Sequence, residues 1–348
     1  MTRLFTTGAE AGSTEIFSTV GAGVTASTAR QRTGAYSFLF SGGSTGVASI
    51  TLSADKTSLY FRMGLYLTGS GVSGSATYCS LIHLRDNAAG DQICLCFNRT
   101  TYTLHVIRGT WSGTILGTSV NTIPLNAWCC IEWYVKIDDG VAGASTVKMD
   151  GFPEITIPAA DTKATAVAGA RTVVLGWVAS GGSSTGLAGN IDDLAINDDA
   201  GAVNNSWIGR GGVVPLLLTG PGTYTDLHAS EGDPFECIDE MPPSDTDYVY
   251  DAVVNQKSTF ALTNLVPTTG NIACIVTNLR AAASLAASRN VARLLRSNGV
   301  DGQGADVGID VSYKTIVETI ETDPGTPGGT GAWTIDRVNA LEAGMVVR

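Results

Sequence analysis

Residues 58–68 read Ser-Leu-Tyr-Phe-Arg-Met-Gly-Leu-Tyr-Leu-Thr, and this stretch decides the fold class. Every second residue in it is a large apolar one: Leu59, Phe61, Met63, Leu65 and Leu67. Because successive side chains of a β-strand point to opposite faces, this pattern buries one face and leaves the other free. Gly69-Ser70-Gly71 follows and is typical of a turn. The pattern therefore predicts a strand that belongs to the core of a sheet.

Similar short runs continue on both sides of this strand as far as residue 200. The clearest hairpin joins Val147-Lys148-Met149 to Phe152–Ile157 through Asp150-Gly151. An Asp-Gly pair suits the positive φ angles of a type I′ turn between two strands. About a dozen short strands without a helical period are typical of a two-sheet sandwich or a jelly roll. The first half is therefore predicted to be a β-sandwich.

Composition supports an all-β fold over the whole chain. Glycine accounts for 42 of 348 residues, and charged residues for only 15%. Both values depart from the usual figures of about 7% and about 25% in the direction that many tight turns require. The low charge excludes a coiled coil, and the 44% hydrophobic content excludes a disordered acidic chain.

The domain boundary is predicted where the strand pattern is interrupted by glycine and proline. Residues 1–203 form the first domain, residues 204–222 the junction, and residues 223–348 a second, acidic β-sandwich. Residues 279–295 are ambiguous between helix and strand, and we favour strands. The prediction is an all-β chain of two tandem jelly-roll sandwiches.

Charge argues against nucleic acid as the main partner. The net charge is −11, and nine carboxylates lie between Asp226 and Asp251 with no Lys or Arg among them. Neutralising phosphates requires clustered basic side chains, which this chain lacks. We interpret the acidic stretch as a solvated face, with a cation site as the alternative.

The cysteines and the apolar runs bear on where the protein works. Seven cysteines, an odd number without a CxxC pair, indicate a reduced protein assembled in a cytoplasm. The first 12 residues lack the apolar region of a secretory signal. The longest compact apolar run, Val213–Leu218, is far shorter than the ~20 residues that a membrane helix needs. We expect no membrane insertion.

Several stretches of the first half resemble known proteins. Met1–Gly8 and Arg32–Ser37 are similar to the start of jelly-roll proteins encoded among the structural genes of tailed bacteriophages. The Trp128–Trp133 strand, the Val147–Gly151 hairpin and the Ile191–Ile196 strand resemble the concanavalin A-like, laminin-G-like sandwich.

The second half also resembles a phage virion module. The residues that carry this likeness are Leu294–Gly299, Glu321–Pro324, Ala332–Thr334 and Val338–Leu341. The resemblance implies a surface-exposed structural component of a tailed-phage particle, as a tail, fibre or head-decoration protein. It implies partners among other virion proteins and copies of the chain itself, and assembly in the bacterial host cytoplasm. The second domain would then be an assembly module.

Sandwiches of this class also include glycan hydrolases, which need two closely spaced carboxyl groups. A Glu-x-Asp-x-x-Glu strand would place two acids on one face, but Glu132 is followed by no second acid until Asp138. No Gly-x-Ser-x-Gly elbow occurs, and His83, His105 and His228 are scattered along the chain. We therefore expect no catalytic residues and no enzyme. A glycan-active enzyme, or a free carbohydrate-binding module on the same sandwich, remains the alternative.

Two groups of acidic residues are candidates for calcium. Asp192, Asp193, Asp198 and Asp199 lie near the end of one predicted strand. Asp86, Asn87 and Asp91 share a predicted loop. Calcium takes six to eight oxygen ligands, often from such loops, although neither group has EF-hand spacing. Turn-forming side chains that bond to the backbone are the alternative, and we expect no other cofactor.

Glycan binding would require an exposed aromatic ring beside polar side chains. Trp111 is the best candidate, because Gly109 and Gly113 flank it and indicate an exposed turn. Thr110 and Ser112 would supply hydrogen bonds, and Tyr102 is expected nearby. A core position for Trp111 is the alternative. The prediction is weak binding of host surface glycans through this loop.

Overall fold

The computed structural model describes residues 3–42, 45–69, 77–179, 188–266, 269–285 and 289–348. The chain is 51% strand and 3% helix, so the all-β prediction is confirmed. It divides into two compact units, the first made of Met1–Ala9 with Phe17–Val213. The second contains Glu10–Ile16 and Val214–Arg348. The predicted junction, 204–222, spans this division, and independent folding of the two parts stays a prediction.

The first unit contains 15 strands within the described residues. They are β1 (Arg3–Thr7), β2 (Thr19–Val20), β3 (Val24–Ser27), β4 (Ser37–Phe40), β5 (Val47–Lys56), β6 (Ser58–Leu67), β7 (Tyr78–Arg85), β8 (Asp91–Asn98), β9 (Thr103–Arg108), β10 (Thr114–Thr122), β11 (Trp128–Lys136), β12 (Gly143–Met149), β13 (Phe152–Ala160), β14 (Ala170–Ala179) and β15 (Gly189–Asn197).

These strands form two antiparallel sheets in the described part of the chain. Sheet A has the order β13-β12-β11-β6-β15-β4-β3, with β1 paired to β15. Sheet B has the order β10-β9-β8-β7-β14-β5-β2. Gly117 of β10 faces Ile155 and Ile157 of β13, which brings the two sheets together. The first unit is therefore a β-sandwich.

The alternation that predicted β6 is found in the structure. The five apolar side chains of this strand are almost completely buried, and Tyr60 and Tyr66 on its other face are half-buried. β6 lies between β11 and β15, in the middle of sheet A. Burying a large apolar side chain contributes roughly 1.5–3 kcal/mol, so this strand anchors the core.

The predicted hairpin at residues 147–157 is also present. Asp150 and Gly151 connect β12 to β13 with φ angles of 52° and 88°. Glycine is favoured at such positive φ values because it has no Cβ atom. The local sequence thus accounts for the edge of sheet A.

The second unit contains ten strands, one short α-helix and one 3-10 turn, Pro327–Gly329, within the described residues. They are β16 (Leu218–Thr225), β17 (His228–Ala229), β18 (Val249–Tyr250), β19 (Lys257–Leu262), β20 (Ile275–Ala281), β21 (Arg289–Ser297), β22 (Val300–Gln303), β23 (Val307–Ile309), β24 (Lys314–Ile320), β25 (Glu342–Val347) and α1 (Ile335–Asn339).

Sheet C of the second unit has the order β16-β19-β25-β21-β22, with β23 paired to β21. The ribbon β20-β24 covers it, because Ile275 and Ile320 pack against the same buried cluster as strand residue Leu295. Trp333, Val338 and Leu341 complete that cluster. Residues 279–281 belong to β20 and residues 289–295 to β21, in line with the preferred strand interpretation, and residues 286–288 lie outside the described part of the chain.

All seven cysteines lie within the described residues and are free thiols. Five of them are buried in the strands of the first unit, where they serve as small apolar side chains. Among the described ranges, no helix has the length and apolar character needed to cross a membrane.

Candidate functional site

Sheet B has an outer face, turned away from sheet A, that carries an unusual row of polar and aromatic side chains. Val106 lies opposite Gly117, which faces sheet A, so the neighbouring His105 points to the outer face. The register pairs Cys96 with His105 and His83 with Cys94. Two cysteines of β8 thus lie between histidines of β7 and β9. We call this face, with the turn 109–113, the sheet B surface.

One end of the sheet B surface holds a charged cluster around Asp91. Its Oδ1 lies 3.0 Å from His83 Nε2 and 2.9 Å from Arg85 Nε. The contact with His83, and next to it the charge and hydrogen bond of Arg85, lower the pKa of Asp91 despite partial burial. Asp91 is therefore an ionised acceptor, and its side chain is 26% exposed.

The other end of the surface holds a neutral cluster around His105. The Oγ1 atoms of Thr103 and Thr118 lie 2.9 and 3.0 Å from its Nε2 and Nδ1 atoms. Burial lowers the pKa of His105, because the charged imidazolium loses hydration. The ring of Tyr78 meets His105 edge-on at a centroid distance of 5.0 Å.

Trp111 lies over the middle of this row. It packs with Tyr78 against Cys94, Cys96 and Ile107. Its ring centroid is 6.0 Å from that of His83, with the two rings nearly perpendicular. Trp111 is half-buried, so it combines the core role and the exposed role that the sequence left open.

The turn that carries Trp111 is built from the residues predicted for it. Gly109 has a φ of 81°, and its N–H donates to Gln92 O at 2.8 Å, which places the turn beside the first residues of β8. Thr110 Oγ1 and Ser112 Oγ are 2.9 Å apart. Ser112 is exposed, so this turn supplies polar groups next to the indole.

Tyr102 does not join this site, and the expectation that it lies near Trp111 is wrong. It precedes β9, stacks on Phe97 at 6.1 Å and is 37% exposed. Trp111 follows β9, so the strand separates the two residues by about 20 Å at 3.3 Å per residue. Successive turns of an antiparallel meander lie at opposite ends of the sheet.

Asp192 and Asp193 lie together on sheet A, although neighbouring side chains of a regular strand point to opposite faces. A bulge in β15 between Asp192 and Ala195 shifts the register, and Asp193 has a φ of 52°. Asp192 Oδ2 accepts from the backbone N–H groups of Arg32 and Thr33. Asp193 Oδ2 pairs with Arg32 Nη1 at 2.5 Å. Burial, and next the charge of Asp193, raise the pKa of Asp192 to about 7.

Residues 206–213, which we call the strap, cover these carboxylates. The N–H of Val213 donates to Asp193 and that of Gly209 to Glu132, at 2.6 and 2.8 Å. Arg32 donates to the carbonyl oxygens of Arg210 and Gly211. The carboxylates of this face therefore accept hydrogen bonds from backbone N–H groups of the strap. Their role here is to hold a segment of the protein's own chain.

The other calcium candidates have different surroundings. Asp198 pairs with Lys56 at 2.5 Å, and Asp199 is exposed. Asp86 accepts from the N–H groups of Ala88 and Gly90, which is the turn role given as the alternative. Within the described residues, no group of three His, Cys, Asp or Glu side chains is arranged to hold a metal ion.

The acidic stretch of the second unit is largely a solvated face. Seven of its nine carboxylate side chains are exposed: Asp226, Glu231, Asp233, Glu236, Asp239, Glu240 and Asp245. Asp245 forms an ion pair with Arg280 at 2.6 Å. Arg280 also forms an ion pair with Glu15, at 2.9 Å. This stretch presents negative charge to solvent.

Sequence reasoning missed most residues of the sheet B surface. Tyr78 and Arg85 gave no motif, and His83 and His105 looked scattered. Asp91 was singled out only as a calcium candidate in a predicted loop, whereas the structure places it at the start of β8. These side chains are brought together by the strand register, which pairs His83 with Cys94 and Cys96 with His105. Only the placement of Trp111 beside glycines was visible in the sequence.

Comparisons with known proteins agree with the sandwich. No protein-family model matches the chain, and no curated protein matches its sequence. A cellulose-induced protein, Cip1, is similar in structure with 18% identity and a TM-score of 0.44, over 60% of this chain and 100% of that one. An endo-β-1,4-glucuronan lyase from the fungus Trichoderma reesei has 12% identity and a TM-score of 0.43, over 56% and 95% of the two chains.

A carbohydrate-binding module, CBM66 from Bacillus subtilis, is similar with 8% identity and a TM-score of 0.33, over 51% of this chain and 97% of that one. At these identities and TM-scores, the likeness says nothing of what this chain binds or does. The comparisons contain no bacteriophage virion protein among the similar structures named here.

The expectation that the chain is not an enzyme is wrong. Similar structures include the glucuronan lyase and an alginate lyase from Aplysia kurodai, the latter with 12% identity and a TM-score of 0.38 over 50% and 86% of the two chains. The missing carboxylate pair argued only against glycosidases that hydrolyse by two acids. It says nothing of lyases.

Proposed function

We propose that the first unit binds glycans on the sheet B surface. One observation carries this proposal: two half-buried aromatic rings, Trp111 and Tyr78, lie on one sheet face together with hydrogen-bonding side chains at both ends. A sugar ring has apolar faces that stack on aromatic rings and hydroxyl groups around its rim. The surface offers both kinds of contact side by side.

The polar groups at the two ends are held in place by their neighbours. Asp91 is fixed by a hydrogen bond from Arg85 Nε, with His83 Nε2 3.0 Å away, and His105 is fixed by two threonine hydroxyls. Polar groups that are fixed before binding lose little conformational entropy when a ligand arrives. This supports a site built for recognition rather than a chance exposed ring.

The experiment compares two tryptophan variants of the full chain. Trp111→Ala removes the central ring of the proposed site. Trp128→Ala is the matched control, because Trp128 is also half-buried and also meets a tyrosine, Tyr66, but on sheet A. Affinity electrophoresis in gels containing soluble polysaccharides measures binding, and thermal melting measures stability.

We expect Trp111→Ala to lose at least about tenfold in affinity, which corresponds to about 1.4 kcal/mol. Trp128→Ala should bind as the parent does, while the two variants lose similar stability. Equal binding by all three proteins would overturn the proposal, as would a parent protein that binds no polysaccharide. Assays for unsaturated products in the same mixtures measure any lyase turnover.

We further propose that the chain is a surface-exposed component of a tailed-phage particle, assembled in the host cytoplasm with copies of itself and other virion proteins. The support is the order of sequence stretches that resemble phage structural proteins. Many copies on one particle would raise the effective affinity of weak glycan sites by about 10²–10⁴. Mass spectrometry of purified particles tests this role, and absence of the chain from them would refute it.

A further inference from the structure

We infer that the sheet B surface selects neutral, hydroxyl-bearing glycans against polyuronates, and that Asp91 is the acceptor that makes this selection. The inference rests on the proposed glycan-binding function and names its ligand class. The selection for neutral glycans follows from the distribution of charged and neutral side chains over the sheet B surface.

Asp91 is an acceptor placed where a ligand can reach it. Its Oδ1 accepts a hydrogen bond from Arg85 and lies 3.0 Å from His83 Nε2, and among the described residues no hydrogen bond is made to Oδ2. His83 lies between Asp91 and Trp111, and the Trp111 turn runs beside the first residues of β8. A sugar stacked on Trp111 therefore brings its hydroxyl groups to Asp91. Hydrogen bonds from hydroxyls to a carboxylate are short and strong.

On this surface, the guanidinium group of Arg85 is already paired with a carboxylate. Arg85 Nε donates to Asp91 at 2.9 Å, so its charge is balanced by the carboxylate. A uronate carboxyl group would have to displace Asp91 from Arg85 or lie next to a second negative charge. Either step costs electrostatic free energy, because like charges repel and a broken ion pair leaves a charge unbalanced.

The opposite end of the surface is neutral. His105 has both ring nitrogens within hydrogen-bond distance of threonine hydroxyls, and burial favours its uncharged form. Hydroxyl and imidazole groups suit sugar hydroxyls and provide no counter-charge for a carboxylate. Among the described residues of the surface, charge complementarity therefore points to a neutral polymer.

The test compares polymer classes with the full-length protein. Xyloglucan and hydroxyethylcellulose are the neutral probes, and alginate and polyglucuronate the acidic ones. Binding is measured at about 0.05 M and about 0.5 M NaCl, because added salt shortens the range of charge interactions. We expect binding to a neutral polymer, with little salt dependence, and at least about tenfold weaker binding to both acidic polymers.

The outcomes separate the two proposals. Preferred binding to alginate or polyglucuronate would overturn the selection argument and leave glycan binding intact. Binding to none of the polymers would overturn both.

Asp91→Asn tests the residue itself. It keeps the size of the side chain but removes the charge, so we expect about tenfold weaker binding to the neutral polymer. Binding to alginate should become stronger, because Arg85 then lacks its counter-charge. Asp161→Asn is the matched control, since Asp161 pairs with Arg108 and is similarly exposed. Unchanged selectivity in a folded Asp91→Asn protein would show that Asp91 does not select the ligand.

Discussion

Asp192 shows how burial decides the behaviour of a single side chain. Its carboxyl group is 1% exposed and lies beside Asp193, and both conditions raise its pKa to about 7 from an ordinary value of 3.8. A raised pKa means that the folded state holds the proton more tightly than the unfolded state. The stability that this adds is complete below about pH 4 and is lost as the pH rises through about 7.

We therefore predict a pH-dependent difference between the parent and Asp192→Asn. The free energy of unfolding of the parent, relative to the variant, should fall by up to about 4 kcal/mol between pH 4 and pH 8. Urea unfolding at several pH values measures this difference. Using the variant as reference removes the opposite contribution of His105, whose pKa is lowered and which adds stability as the pH rises. Parallel curves would show that Asp192 is ionised in the folded protein.

The strap is the element in which sequence and structure differ most. Its glycines indicated a junction, yet Trp207 packs edge-on against Tyr60 at 5.6 Å and Lys148 Nζ lies 3.6 Å from the indole centroid. These contacts, with the N–H donors to Glu132 and Asp193, attach the strap to sheet A.

We predict that fragment 1–213 is more stable than fragment 1–203. Cutting after residue 203 removes the donors to two buried carboxylates and the acceptors of Arg32, and each buried polar group left without a partner costs about 1–3 kcal/mol. Thermal melting followed by circular dichroism compares the fragments. Identical melting curves would mean that the strap contributes nothing to the first unit.

Elements with a local signal were predictable. β6 was readable from period-two alternation and the β12-β13 hairpin from Asp150-Gly151, since both depend on neighbouring residues. The bulge at Asp193 and the helix α1 were missed. A bulge is set by the pairing partner, and a helix of five residues has too few turns to show a period.

At the scale of the whole molecule, the site arises from pairing between strands. His83 and His105 are 22 positions apart in the chain, yet each is paired with a cysteine of β8. Without the register, no pattern in the sequence places these side chains on one face. Trp111 could be found because its signal, the flanking glycines, is local.

The net charge of −11 is a property of the whole chain and not of one residue. It repels polyanions at a distance and leaves neutral polymers unaffected. A net charge of this sign therefore disfavours acidic polymers as ligands of the whole chain.

The central claim is that glycans bind on the sheet B surface, and hydroxyl-radical footprinting of the full chain with and without xyloglucan tests it most directly. Oxidation of Trp111 and Tyr78 is measured relative to Trp128 and Tyr66, which are half-buried on sheet A and correct for radicals consumed by the polymer. The account predicts that the oxidation of Trp111 and Tyr78 falls relative to that of the sheet A pair. Protection of Trp128 and Tyr66 instead, or an unchanged ratio at saturating polymer, would contradict it.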